Sequence, residues 1–567
     1  MNDVGVFQFA SRLRYGEEEF VLKSDQNILF KTGLFAIIAF YKSIMDNFKI
    51  NDPARLISCV VVFLLISFGC AFADIKLPAI IADNMVLQQK AKVTLWGWAE
   101  PGEDVEVLRS WAKAAMTTKA DEKGNWKISI ATPAANGISY TLTFKGKNTI
   151  EVKNVLMGEV WLCSGQSNME FTLAKGPQSW ETGVNDYEME VAKVNNPKIR
   201  MYTVKQTASD TALNNTKGNW QEANPQNARM FSAVAYYYAR EIFEKTGIPI
   251  GLINSTWGGT EAEVWTRKDI LQADPDLNII VEHWDERVKN YPQELKKYEA
   301  ALIKWKADTA TAKQQNLPLP KAPGRPVIAD AHAPGKLYNG MIAPIVPYTI
   351  KGVIWYQGES NAPRAYQYRK LFPTLITSWR SDHHDNKLPF YFVQISPNHS
   401  QNAEIREAQL MTYRNIPHTG MAVTTDNGDS LNIHPRNKEL VGKRLALWAL
   451  SHNYGFKSLQ YSGPLYKGMK VKDGQIRIMF DEVGNGLVAK NGELKEFVIA
   501  GDDQVFYPGQ AKIDGKTLIV SSPQVPKPVA VRFAWRNVPH PNLYNTAGLP
   551  ASPFRTDNWK GITEDKN

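Results

Sequence analysis

Between about Leu156 and Tyr454 short apolar runs alternate with helical patterns, and that alternation leaves few folds open to the chain. Glu159-Val-Trp-Leu-Cys163, Ile248–Ile253, Gly352–Tyr356 and Leu388–Ile395 read as buried strands, and Met230–Glu244 as an amphipathic, aromatic-rich helix. Strand and helix in turn predict an α/β domain with a mainly parallel sheet between helical layers. On both sides the pattern changes. From Ile75 to about Val155, Val93–Gly97, Val105–Leu108, Trp126–Ile130 and Tyr140–Phe144 are strand-like, with turn signals at Glu100-Pro-Gly-Glu103 and Lys123-Gly-Asn125. From about Lys457 onward, Gln475–Phe480, Thr517–Ser521 and Ala530–Trp535 are strand-like again. The expected division is a β-sandwich-like module over 74–155, the α/β domain over 156–454 and a second β-rich module over 455–567. A polar, helix-prone insertion spans about 269–326. Its Trp284, Tyr291, Tyr298 and Trp305 recur at steps of seven, as a helix packing seam does, and a Pro-rich loop through Leu317–Pro326 follows.

The first 73 residues stand apart. Leu56–Phe68 is an almost unbroken apolar run, and Ala71-Phe72-Ala73 has the small-x-small spacing of a signal-peptidase site before Asp74. The run falls short of the roughly 20 residues a membrane span needs. Met45 suits the start of such a signal, which makes residues 1–44 an upstream extension. The mature chain is expected to be exported, periplasmic or secreted, without stable membrane insertion. Cys70 invites a lipoprotein reading, but Ser67-Phe68-Gly69 is a poor lipobox. Of three cysteines only Cys163 lies beyond the signal, so the mature chain has no intramolecular disulfide. The net charge of +9 is scattered, without the basic run that nucleic acid would ask for.

Four segments carry chemistry. Gly165-Gln166-Ser167-Asn168-Met169 follows the strand Glu159–Cys163. A serine on a tight turn past a strand end exposes its hydroxyl beside the free N–H groups of the next helical turn. In Ile253-Asn-Ser-Thr-Trp-Gly-Gly-Thr260, Gly258 and Gly259 let backbone approach a ligand closely. Val353-Ile-Trp-Tyr-Gln-Gly-Glu-Ser-Asn361 runs from strand into loop, where the Asn361 amide can donate to an oxyanion and Glu359 can hold the loop. Asn432-Ile-His434-Pro435 places an imidazole in a loop just before a helix, as a general base for Ser167 requires. His383-His384 beside Asp382 reads as an exposed turn.

The order Ser167, Gly259, Asn361, His434 resembles the SGNH (GDSL-like) hydrolases, and the wording of the motifs is similar to their sialate O-acetylesterase branch. Leu77-Pro-Ala-Ile-Ile-Ala-Asp-Asn-Met-Val-Leu-Gln88 resembles the β-rich opening of that branch. The resemblance implies an SGNH-hydrolase-like three-layer domain flanked by β-sandwich-like modules. It implies a serine esterase removing O-acetyl groups from carbohydrate, foremost from sialic acids. Ser167 would be the nucleophile and His434 the base. The oxyanion site would comprise Ser167 N–H, Gly258 or Gly259 N–H and the Asn361 amide, with no metal or organic cofactor. Many SGNH hydrolases carry an Asp three residues before the histidine; here Leu431 stands there. Asp429 or Asp426 would curl back as the third member, or a Ser–His dyad would suffice. A polysaccharide acetylesterase of the acetylxylan type and a non-catalytic carbohydrate-binding protein are the alternatives.

Overall fold

Short strands joined by turns open the described part of the chain: β1 (Val86–Gln88), β2 (Lys92–Trp98), β3 (Asp104–Arg109), β4 (Ala112–Lys119), β5 (Asn125–Ala131) and β6 (Tyr140–Lys145). This computed structural model describes residues 74–177 and 180–566, together with an antiparallel strand pair at Arg14–Tyr15 and Glu18–Glu19. The apolar run Leu56–Phe68, the Ala71–Ala73 motif, Met45, Cys59 and Cys70 lie outside the described residues. Contacts divide the chain into two units at Ala73/Asp74.

In the second unit, β2 pairs with β5 while β4, β3 and β6 form another antiparallel array. Leu95, Val105, Val107, Trp126 and Phe144 are buried there. The array continues into β7 (Thr149–Gly165), a 17-residue strand. Its first half pairs antiparallel with β6, and its second half is the centre of a parallel sheet. The expected boundary at 155/156 therefore falls inside one strand.

With β8 (Asn196–Thr203), β9 (Trp220–Ala223), β10 (Ile250–Thr256), β11 (Gly352–Tyr356), β12 (Phe390–Gln394) and β13 (Thr419–Val423), the sheet runs β9-β8-β10-β7-β11-β12-β13. Every pair is parallel except the edge pair β8–β9. Alternation of side chains fixes which helix covers which face. Trp161 packs on Tyr238 of the helix Ala233–Thr246, and Tyr391 packs on both Trp161 and Trp448 of the helix Lys438–Asn453. Trp355 pairs in register with Ser164, so it points to the opposite face, where it meets Phe372 and Trp379 of the helix Ala365–Asp382. Both faces are thus covered, which is why β10 through β13 are buried at every residue.

The insertion is a 37-residue helix, Asn278–Gln314. Trp305 donates its Nε1–H to Pro320 O at 2.8 Å, so the Pro-rich loop returns along the aromatic seam. Asp382, at the end of its helix, accepts from Arg267 (2.7 Å) and Tyr338 (2.6 Å). His383 and His384 form the expected turn, with His384 exposed and His383 half-buried, while Asp382 before them is a structural tie. Beyond Asn453 the chain forms two four-stranded antiparallel sheets that share a core of Ile476, Ile499, Val520, Val531 and Phe533. This module is fastened to the helix Ala403–Asn415. Glu404 accepts from Ile562 N (2.6 Å) and Thr563 N (3.0 Å), and Glu407 pairs with Arg555 (2.8 Å). Among the described residues, no helix is long and apolar enough to cross a membrane.

Candidate active site

β7 ends at Gly165, whose φ is +137°. A Cβ there would lie 2.2 Å from Tyr356 O, so only glycine lets the strand end this close to β11. Gln166 then donates its N–H to Tyr356 O (3.1 Å), and its Oε1 accepts from Ser360 N (3.2 Å). The short helix Ser167–Glu170 starts at once, leaving the first N–H groups of that turn without intrahelical acceptors.

Ser167 is 7% exposed, and His434 Nε2 lies 2.8 Å from its Oγ. The two residues are 267 positions apart, and the topology brings them to one end of the sheet. Local bonds shape the histidine loop: His434 N–H donates to Asn432 Oδ1 (2.9 Å). Burial first, and the Lys438 ammonium second, pull His434 down to about 4. The imidazole is therefore neutral near pH 7 and able to take a proton.

Asp429 spends its carboxylate on the loop. Its Oδ1 accepts from Leu431 N (2.9 Å) and Asn432 N (3.0 Å), which holds the carboxyl below its usual range. Asp426 is held by Arg444 at 2.6 and 2.8 Å and by Tyr544 at 3.2 Å. Among the described residues no carboxylate hydrogen-bonds His434. Its ring lies against Trp180, with centroids 4.5 Å apart.

Gly258 sits against Ser167, its Cβ position being 3.3 Å from the serine Cβ. Its N–H is occupied by Glu170 Oε2 at 2.5 Å. Gly259, at φ +77°, has no hydrogen-bond partner for its N–H among the described residues. Asn361 is fixed from three sides. Its Oδ1 accepts from Ala262 N (2.9 Å) and Gln357 Nε2 (2.6 Å), and its Nδ2 donates to Glu263 Oε2 (2.9 Å). One Nδ2–H is left over.

Behind the serine lies a polar network that sequence reasoning did not assemble. Asn168 Nδ2 donates to Glu359 Oε1 (2.6 Å) and to Ile433 O (3.1 Å), while Lys438 Nζ donates to Asn168 Oδ1. Lys438 is fully buried, 4.5 Å from the centroid of the Phe171 ring and 5.4 Å from that of Tyr356. Burial pulls its ammonium down to about 7 and pushes the Glu359 carboxyl up. Asn168 thus ties the Ser167 turn to both the Glu359 loop and the histidine loop. Its place beside Ser167 was the only local signal. Cys163 is buried in β7, and burial raises its thiol, a core residue rather than a nucleophile.

A family model described as carbohydrate esterase, sialic acid-specific acetylesterase, matches residues 307–451, a stretch that includes Asn361 and His434. The sialate O-acetylesterase of Rattus norvegicus is 30% identical over 84% of this chain and 94% of its own length. That of Mus musculus is 29% identical over 89% and 98%. A crystal structure of a carbohydrate acetylesterase from Xanthomonas citri is 35% identical, with a TM-score of 0.72 over 86% of this chain and all of that one. The chain belongs to the sialate O-acetylesterase family. As a member of that family it is a carboxylic ester hydrolase that removes O-acetyl groups from carbohydrate. The α/β fold with β-rich modules is the one this esterase shares with its Xanthomonas citri relative.

Proposed function

We propose that this esterase deacetylates O-acetylated sialic acids through an acetyl-enzyme on Ser167. The observation that carries the chemistry is the 2.8 Å contact between Ser167 Oγ and a neutral His434 Nε2. Ser167 Oγ attacks the acetyl carbonyl as its proton passes to His434. The C–O bond to the sugar then breaks, and His434 returns the proton to the departing sugar oxygen. Water repeats the sequence on the acetyl-enzyme and releases acetate. The oxyanion is received by Ser167 N–H, Gly259 N–H and the free Asn361 Nδ2–H, each donor worth about 10²–10³ in rate. Gly258 has a different part: its N–H anchors the loop to Glu170. Asp429 acts on loop shape, leaving a Ser–His pair.

The sialic acid assignment is supported by the family description and by the substrate named for the rat and mouse relatives. Acetate release from O-acetylated sialoglycan is expected to exceed release from acetylated xylan at equal ester concentration. The reverse order assigns the enzyme to neutral polysaccharide. Export is proposed on the Leu56–Phe68 run and the Ala71-Phe72-Ala73 motif. Edman sequencing of the exported protein is expected to begin at Asp74; a chain that keeps residues 45–73 counts against it.

A further inference from the structure

A polar cavity lies beside the proposed reaction centre. It occupies about 180 Å³ between the start of the long helix Asn278–Gln314 and the loop that leaves Gly258 and Gly259. Glu261 in its wall lies three positions after Gly258, which packs on Ser167, a reach of at most about 11 Å. Glu263 belongs to both places. Its Oε2 accepts from Asn361 Nδ2, and its Oε1 pairs with Arg364, another wall residue. A sugar whose acetyl ester is presented to Ser167 therefore has this cavity as a neighbour.

The cations of the cavity differ in what they already hold. Arg364 is paired with Glu263, and His332 Nδ1 lies 2.8 Å from Glu261 Oε2. Arg287 has no carboxylate partner among the described residues. Its Nη2 donates to Val327 O at 2.9 Å, and its guanidinium lies 5.9 Å from the centroid of the Trp284 ring. The remaining N–H groups of a planar fork suit a carboxylate, and a flat indole beside it suits the apolar face of a sugar. The volume is below the 300–1,000 Å³ of drug-sized sites, so it takes one end of a single sugar rather than a chain.

We propose that this cavity is the subsite for the acidic end of the substrate, with Arg287 receiving the carboxylate of a carboxylated sugar and Trp284 its ring. The assignment rests on the sialic acid reading above. Glu263 is paired with Arg364, and the hydrogen bond to Glu261 holds the His332 imidazole above its usual range, so His332 offsets Glu261 when protonated.

The test is inhibition of p-nitrophenyl acetate hydrolysis by N-acetylneuraminic acid and by its methyl ester. With wild type the free acid is expected to inhibit about tenfold or more better than the ester, the range of one charged hydrogen-bonded contact. In Arg287→Gln the ratio falls to near one because the acid weakens, while inhibition by the ester persists and shows the pocket intact. Trp284→Ala weakens both. A ratio unchanged by Arg287→Gln overturns the assignment. If wild type releases acetate only from neutral sugars, the sialic acid reading itself fails. If it deacetylates sialic acid yet Arg287→Gln keeps the ratio, the subsite alone fails.

Discussion

Alanine at Ser167 is expected to lower kcat for acetate release by about 10⁴–10⁶, and alanine at His434 by a similar factor. The double variant should be no worse than either single one, because the 2.8 Å pair moves one proton as one device. What remains is the activity of the oxyanion donors and substrate positioning alone. Asp429→Asn belongs in the same series. A true triad acid costs about 10⁴ when replaced. Here asparagine keeps an oxygen for Leu431 N and Asn432 N, so turnover is expected to stay within a few-fold of wild type. Single-turnover measurements on the four proteins decide. Additive losses in the double variant, or a collapse in Asp429→Asn, would remove the Ser–His pair as described.

Lys438→Met is expected to destabilise the fold by about 1–3 kcal/mol, the cost of leaving buried polar groups unsatisfied, since Lys438 reaches Glu359 only through Asn168. It strands Glu359, whose Oε2 is already buried without a partner, and frees Asn168 Oδ1. Lys438→Met with Glu359→Gln removes both charges and should recover a large part of that loss in a denaturant titration. Catalysis gives a separate readout. As the proposed base His434 acts in its neutral form, and it sits near 4, held there by burial and then by the Lys438 cation. The groups facing it are Lys438 from the last helix of the α/β domain and the Trp180 ring. Without the cation, His434 binds its proton at higher pH, so kcat/KM is lost at higher pH on acidification. An acid limb that stays where wild type has it would show that the Lys438 charge does not act on the imidazole.

The candidate site motifs are legible because each is local. A glycine, a polar residue and a serine after an apolar run announce a strand end and a helix start within seven residues. The alternating pattern of the α/β domain was legible for the same reason. The network was not. Asn168 and Lys438 are 270 residues apart, Asn361 and Glu263 are 98 apart, and nothing local marks either pair. The boundary drawn at 155/156 has a physical origin. Thr149–Ile150-Glu-Val-Lys-Asn154 is largely exposed, as in a strand with one buried face, whereas Val155–Gly165 is buried throughout because helices cover both sides. Two periodicities on one strand read as two elements. Spacing does not reveal what Asp429 does: its carboxylate is taken by the backbone amides two and three residues on, in a local turn.

The 17 residues of β7 begin in the leading β module and stop one residue short of the helical turn that starts at Ser167. No linker separates the two, so recombination has no seam at which to exchange one front end for another without cutting the central strand of the catalytic sheet. Lineages carrying this architecture would have to diversify their glycan preferences through loops at the carboxyl ends of the strands, or through chain added after the last sheet.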